Sequence, residues 1–243
     1  MGVRCRVGAL LLLLAAGVVR AEDCGYPNDA PGRFGPFDYR DPSKDHERYL
    51  VDGAHFPAYI EELALYGFSS HRSTIQEAES PAMIGGNIDY TLYAFPNHAR
   101  ALHAMGVWQL KERQKEPGKF QELLNSTRLR SAECYFERAI MFVPNDGMVH
   151  LAYGAFLHKA GDLKKAATEY QRTVELMPDM PEAHYNLGLL YIDVGNYAKA
   201  RDEAAIAYGA GYPLPGLKNK LARAQSSEPR KSGASKPPTG LAE

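Results

Sequence analysis

Chemistry in this chain would have to begin at its histidines, cysteines and acids, and their spacing is uninstructive for catalysis. His98 and His103 stand five residues apart, so on a helix they do not share a face as a metal-binding pair would. His55, His71 and the Asp45-His46 step lie in a stretch containing several Tyr and Glu. A site could be assembled there from distant residues, but no motif selects a nucleophile, a base or a ligand set. The sequence contains no Gly-rich phosphate loop, paired-cysteine metal motif or nucleophile elbow. The expectation is therefore no enzyme, no metal and no cofactor. The alternative is an envelope hydrolase or ligand-binding protein with its site in the His- and Tyr-containing segment before residue 98.

Of the three cysteines, Cys5 sits in an apolar leader, leaving Cys24 and Cys134. In an oxidising compartment an even pair can form a disulfide. Two cysteines carry no spacing pattern, so the other reading stands beside it, with Cys134 a buried apolar residue on a helix and Cys24 a free thiol. The leader itself has Arg4 and Arg6 ahead of the run Gly8 to Val19, with small residues around Val19-Arg20-Ala21. Residues 1–21 read as a cleaved signal peptide, implying a periplasmic or secreted protein; a retained anchor is the competing reading, though the run is short for a bilayer span. Cleavage would remove three arginines and no acid, taking the formal charge from -1 to -4, with 25 basic against 29 acidic residues. That balance, with 45% hydrophobic and 23% charged residues, suits a globular core and does not supply the clustered cations that nucleic acid requires.

The elements that would position any site show themselves as a repeat. The stretch from Gly147 to Leu163 overlays the stretch from Pro181 to Tyr197 at an offset of 34, aligning His150 with His184, Gly154 with Gly188, Gly161 with Gly195 and Ala166 with Ala200. This period and pattern resemble the tetratricopeptide repeat, a helix-turn-helix unit that stacks on its neighbours. Gly154, Gly188, Ala166 and Ala200 are small where paired helices approach. Gly161-Asp162 and Gly195-Asn196 supply turns, and Pro178 closes a unit. Tyr170 and Leu157 should fill the space between pairs. A degenerate unit lies upstream, with Met105-Gly106 opening it and Ala132, Phe136, Ala139 and Pro144 closing it. Gly106 to Gly154 spans 48 residues, 14 more than the period, which places an insert near 113–127.

The resemblance implies an all-α fold of about three helical pairs with a capping helix from Leu214 to Ala224, so that residues 86–225 form the array. Residues 22–85 are expected to be an irregular segment with one helix, Pro57 to Leu65. Residues 226–243, rich in Ser, Pro and Lys, are expected to be disordered. Gly35-Pro-Phe-Asp-Tyr, Gly53-Ala-His-Phe and Asp89-Tyr-Thr-Leu with Ala94-Phe-Pro-Asn-His look like a group of exported bacterial tetratricopeptide proteins of unsettled function. That likeness brings no catalytic residues.

Stacked pairs present their first helices along a concave face. Counting at 3.6 residues per turn puts Leu151, Ala155 and His158 on that face in one unit, and Tyr185, Leu189 and Ile192 in the next, with Asn186 at the border. An aromatic and aliphatic floor with one amide suits a protein or peptide partner. Some tetratricopeptide proteins grip a C-terminal carboxylate with Lys, Arg and Asn from successive first helices. Here Asn186 stands alone, with Ala152 in the equivalent place one unit earlier, so that clamp is not expected.

Overall fold

The computed structural model describes residues 24–25, 34–66, 80–127 and 129–227; the expected signal peptide, His71 and the tail from residue 228 lie outside the described residues. Within them the chain is all-helical: α1 (Asp45–His55), α2 (Ala58–Tyr66), α3 (Pro81–Ala94), α4 (Ala99–Lys115), α5 (Pro117–Thr127), α6 (Ala132–Phe142), α7 (Gly147–Ala160), α8 (Leu163–Leu176), α9 (Pro181–Asp193), α10 (Tyr197–Gly209) and α11 (Gly216–Ser227).

The two clear repeats, α7–α8 and α9–α10, are punctuated as their turn residues predict. Asp146 caps α7 by accepting from the Met148 amide, and Asp162 and Asn196 cap α8 and α10 through the amides of Lys165 and Lys199. Each cap satisfies an amide that the first helical turn leaves without a partner. Gly161 and Gly195 take left-handed backbone, with φ of 91° and 78°, a conformation that costs glycine least.

Packing explains the small residues. A Cβ on Gly154 would lie 2.6 Å from the Tyr170 ring, so glycine is what lets α7 seat the fully buried aromatic of α8. One period later Tyr170 is replaced by Ala204, which cannot fill the equivalent space. Leu217 of α11 supplies the volume instead, 2.7 Å from where a Gly188 Cβ would stand, and is itself fully buried. The capping helix therefore replaces a missing aromatic as well as covering an apolar face. In the degenerate unit Gly106 plays the same part against Phe136 and Phe156. One continuous core runs from Phe56 to Leu221.

The insert forms the separate helix α5. Glu116 ends α4, Pro117 opens α5, and Phe120 is buried beneath the Arg113 guanidinium. The Pro-Gly step thus starts a helix, since proline at a first helical position gives up no intrahelical hydrogen bond. The fully buried Gln109 holds the chain as it returns to α6: its Nε2 donates to the Arg130 carbonyl and its Oε1 accepts from the Ala132 amide.

The N-terminal segment is more regular than expected. Besides α2 it contains α1 and a 3-10 turn at Pro42–Lys44. Helix α1 buries only Val51 and includes Gly53, a residue that weakens a helix interior. Helix α2 packs on both α3 and α4. Residues 34–41 then form a strap. Phe37 donates its amide to the Ala94 carbonyl, and Tyr39 donates its amide to Asn97 Oδ1. Asn97 Nδ2 in turn donates to Asp38 at 2.7 Å and to the buried Asp146 at 2.9 Å, while Arg40 lies 3.3 Å from Asp146. Further back, Cys24 is disulfide-bonded to Cys134, with Cα atoms 5.1 Å apart. The Cys24 carbonyl accepts from Arg130 and Arg138.

Candidate functional site

The first helices α4, α7 and α9 carry the face singled out for binding, and its residues divide into two kinds. Leu151 and Tyr185 are buried, 5% and 7% exposed, and belong to the core. The Tyr185 ring packs on Tyr212 with centroids 4.5 Å apart, and its hydroxyl abuts Gly216 at the start of α11. Tyr185 is therefore covered from within the chain, because the cap folds back over it in a way that helical counting cannot foresee. Ala155, His158, Asn186, Leu189 and Ile192 all retain partial exposure. The side-chain amide of Asn186 makes no hydrogen bond among the described residues.

The border of this face is charged, and adjacent helices share its charges. His158 Nε2 lies 3.0 Å from Asp193 Oδ2, and Lys220 Nζ lies 3.1 Å from Asp193 Oδ1, tying α7, α9 and α11 together. Burial pushes the Asp193 carboxyl up, but the bonds from Lys220 and His158 outweigh it and leave the pKa below the usual value. Lys159, one turn beyond Ala155, is exposed and acts electrostatically on Lys111 of α4. Burial depresses the Lys111 pKa first, and Lys159 adds to that effect.

The aligned histidines have a structural use that the repeat pattern did not disclose. In both units each imidazole nitrogen faces an acceptor. His150 Nδ1 is 2.7 Å from Glu169 Oε2 and Nε2 is 3.0 Å from the Pro144 carbonyl; His184 Nδ1 is 2.6 Å from Glu203 Oε2 and Nε2 is 2.8 Å from the Pro178 carbonyl. A carbonyl only accepts, so Nε2 carries a proton in each, and Nδ1 faces the carboxylate. For His150 burial lowers the pKa, yet the bonds to Glu169 and Pro144 exceed that and raise it overall. Each histidine thus pins a first helix to its own second helix and to the preceding turn.

In the segment before residue 98 the described histidines, and His98 beside it, are placed as follows. His98 is 1% exposed; its Nδ1 accepts from the Ala101 amide at the start of α4, and its ring stacks on Tyr39 at 4.0 Å. Its Nε2 lies 3.2 Å from Asp52 Oδ1 without hydrogen-bond alignment, while Tyr39 donates to Asp52 Oδ2. His55 packs on Tyr90 and lies 3.4 Å from Asn87, whereas His46 is exposed on α1. His98 and His103 do not converge: one is sealed in the core and the other lies at the surface of α4. Among the described residues no group of three or more His, Cys, Asp or Glu could hold a metal ion, and no helix is long and apolar enough to cross a membrane.

Residues 154–195 match the tetratricopeptide repeat family. Among solved structures the chain is similar to TTC0263, a thermophilic tetratricopeptide protein of Thermus thermophilus, at 18% identity over 60% of this chain and 73% of that one, with a TM-score of 0.47. It is also similar to PilF of Pseudomonas aeruginosa, at 18% identity over 61% of each chain and a TM-score of 0.45. YrrB, a tetratricopeptide protein with an unusual peptide-binding site, aligns at 20% identity over 60% of this chain and 84% of that one, with a TM-score of 0.34. No curated protein matches. Residues 154–195 thus carry tetratricopeptide-repeat sequence, within a chain that is all-helical in its described residues.

Proposed function

We propose that the protein is an exported scaffold that receives a protein or peptide partner on the first-helix face of α7 and α9. The observation that carries the reading is the half-exposed row Ala155, Leu189 and Ile192, flanked by an Asn186 side-chain amide with no partner among the described residues. Apolar floor gives a partner affinity, and one unsatisfied amide gives it register by bonding to its backbone. Export is supported by the basic-then-apolar run ahead of Ala21 and by the Cys24–Cys134 disulfide, a bond that persists where thiols are not kept reduced.

The test is a photo-crosslinking amino acid placed at Asn186, at Leu189 and, as a control, at Asp202 on α10. In an envelope preparation a discrete adduct should form from 186 and 189 and not from 202. It should disappear when Ile192→Glu is added to the Leu189 probe. Equal labelling from all three positions, or none, would overturn the assignment. Mass spectrometry of the purified protein should find the chain beginning at Glu22.

A further inference from the structure

The last helix has two unlike sides. Leu217 and Leu221 of α11 are buried, and the helix packs on α9 and α10. That contact turns Lys218, Asn219, Ala222 and Arg223 outward, where all four are exposed. Lys220 is held by Asp193 at 3.1 Å, whereas Lys218 and Arg223 make no ion pair among the described residues. Just before the helix, Leu214 is 51% exposed. The Tyr208 hydroxyl fastens it to the start of α11, donating to the Leu214 carbonyl and accepting from the Lys218 amide.

This end is basic in a protein that as a whole is not. Between Ala204 and Ser227 no acid occurs, and residues 204–243 carry six bases against two acids in a chain whose formal charge is -1. Arg230, Lys231 and Lys236 continue the run in sequence, beyond the described residues. Like charges gathered at one end repel one another and draw an external anion there.

The spread of the cations selects the kind of anion. Lys218 and Arg223 are five residues apart, so they spread over the outward side of the helix instead of converging on one point. A single carboxylate or phosphate is gripped by converging donors. A lipid surface needs only several cations near its plane and a shallow apolar side chain, which Leu214 supplies. The chain holds no aromatic residue after Tyr212, whereas single-stranded nucleic acid binds on stacked aromatics.

We propose that α11 and the basic run after it dock the protein on an anionic lipid surface, with Lys218 and Arg223 at the headgroup phosphates and Leu214 beneath them. This surface uses none of the residues named for a partner on α7 and α9, so either reading can fail without the other.

The full chain is to be co-sedimented with vesicles of equal parts phosphatidylglycerol and phosphatidylcholine, beside vesicles of phosphatidylcholine alone. At low salt it should bind the anionic vesicles at least about tenfold more strongly, and high salt should release it. Lys218→Gln with Arg223→Gln should weaken binding about tenfold or more, and Leu214→Ser by less. Removing two lysines elsewhere, by Lys115→Gln with Lys164→Gln, should leave binding within about twofold, because charges beyond a Debye length from the surface are screened. Equal attachment to both kinds of vesicle, no attachment, or attachment indifferent to the Lys218 and Arg223 pair would each overturn the proposal. Binding to polyglutamate or to an oligonucleotide through those residues, without binding to vesicles, would assign the basic end to an acidic macromolecule and overturn it as well. Every substituted side chain is exposed, and an unchanged thermal melt by circular dichroism will show that each variant is folded.

Discussion

The chain is held together in two ways, and they divide along its length. From Gly147 to Ser227, stability is modular: a glycine opposite a bulky side chain, a left-handed glycine in the turn, and a histidine bonded at both nitrogens recur at the period of the repeat. From Phe34 to Ala99 the small-for-large contact appears at Gly85 against Trp108, but among the described residues it comes without the doubly bonded histidine of the repeat. The strap, α1 and the start of α4 are joined by single contacts among Asp38, Asn97, Asp146 and Arg40, and the disulfide fastens Cys24 to α6. The difference teaches that repeat packing needs only neighbours, whereas the N-terminal segment depends on residues far away in sequence.

Four experiments would break or sharpen that contrast, beginning with the largest effect. Tyr170→Ala should cost about 3–5 kcal/mol in urea unfolding by leaving a cavity opposite Gly154. Hydrogen exchange should show loss of protection across α7 and α8 before the N-terminal helices loosen. If all regions loosened together, the modular description would fail.

Cys134→Ser, or reduction of the wild type, should cost about 2–4 kcal/mol, the range for a closed loop, here with a sequence separation of 110. The new protease sites should fall near the strap and leave 147–227 intact. Asn97→Ala should cost about 1–3 kcal/mol, because the buried Asp146 and the Tyr39 amide both lose a partner. Its signature is faster cleavage around residues 34–41 with the amide spectrum of α9 and α10 unchanged.

The smallest effect is one of pH. The His150 pKa is raised on folding, so its contribution is complete below the unfolded value near 6.5 and is lost as pH rises through the folded one. Urea midpoints should therefore fall between pH 6 and pH 9, and His150→Gln should flatten that slope. A variant retaining the full slope would assign the effect to another group. Asp38 works in the opposite direction at the acid end: the Arg40 hydrogen bond holds its carboxyl at about 2, so the strap's share persists above the ordinary carboxylate range and is lost as pH falls through 2.

Much of the second half was legible because its interactions are local. Gly161, Asp162, Gly195 and Asn196 declare turns by their own backbone chemistry, and the offset between Gly154 and Gly188 declares the stacking. The candidate face was legible only in part. Ala155, Asn186, Leu189 and Ile192 remain open as helical counting implies, but Tyr185 is covered by Tyr212 and the start of α11. Helix α1 gave little warning, since Asp45–His55 is mostly polar and buries one side chain; its place comes from packing on α3.

What the sequence by itself determined is the repeating unit: helix lengths, turns and the small-for-large pairing all follow from residues within one period of each other. Tertiary structure decided what crosses between periods. It placed Leu217 in the space that Ala204 leaves and sealed His98 between Tyr39 and Asp52. The physical reason is range. Hydrogen bonds along a helix depend on residues four apart, whereas burial and electrostatic potential depend on every atom nearby, however far away it lies along the chain.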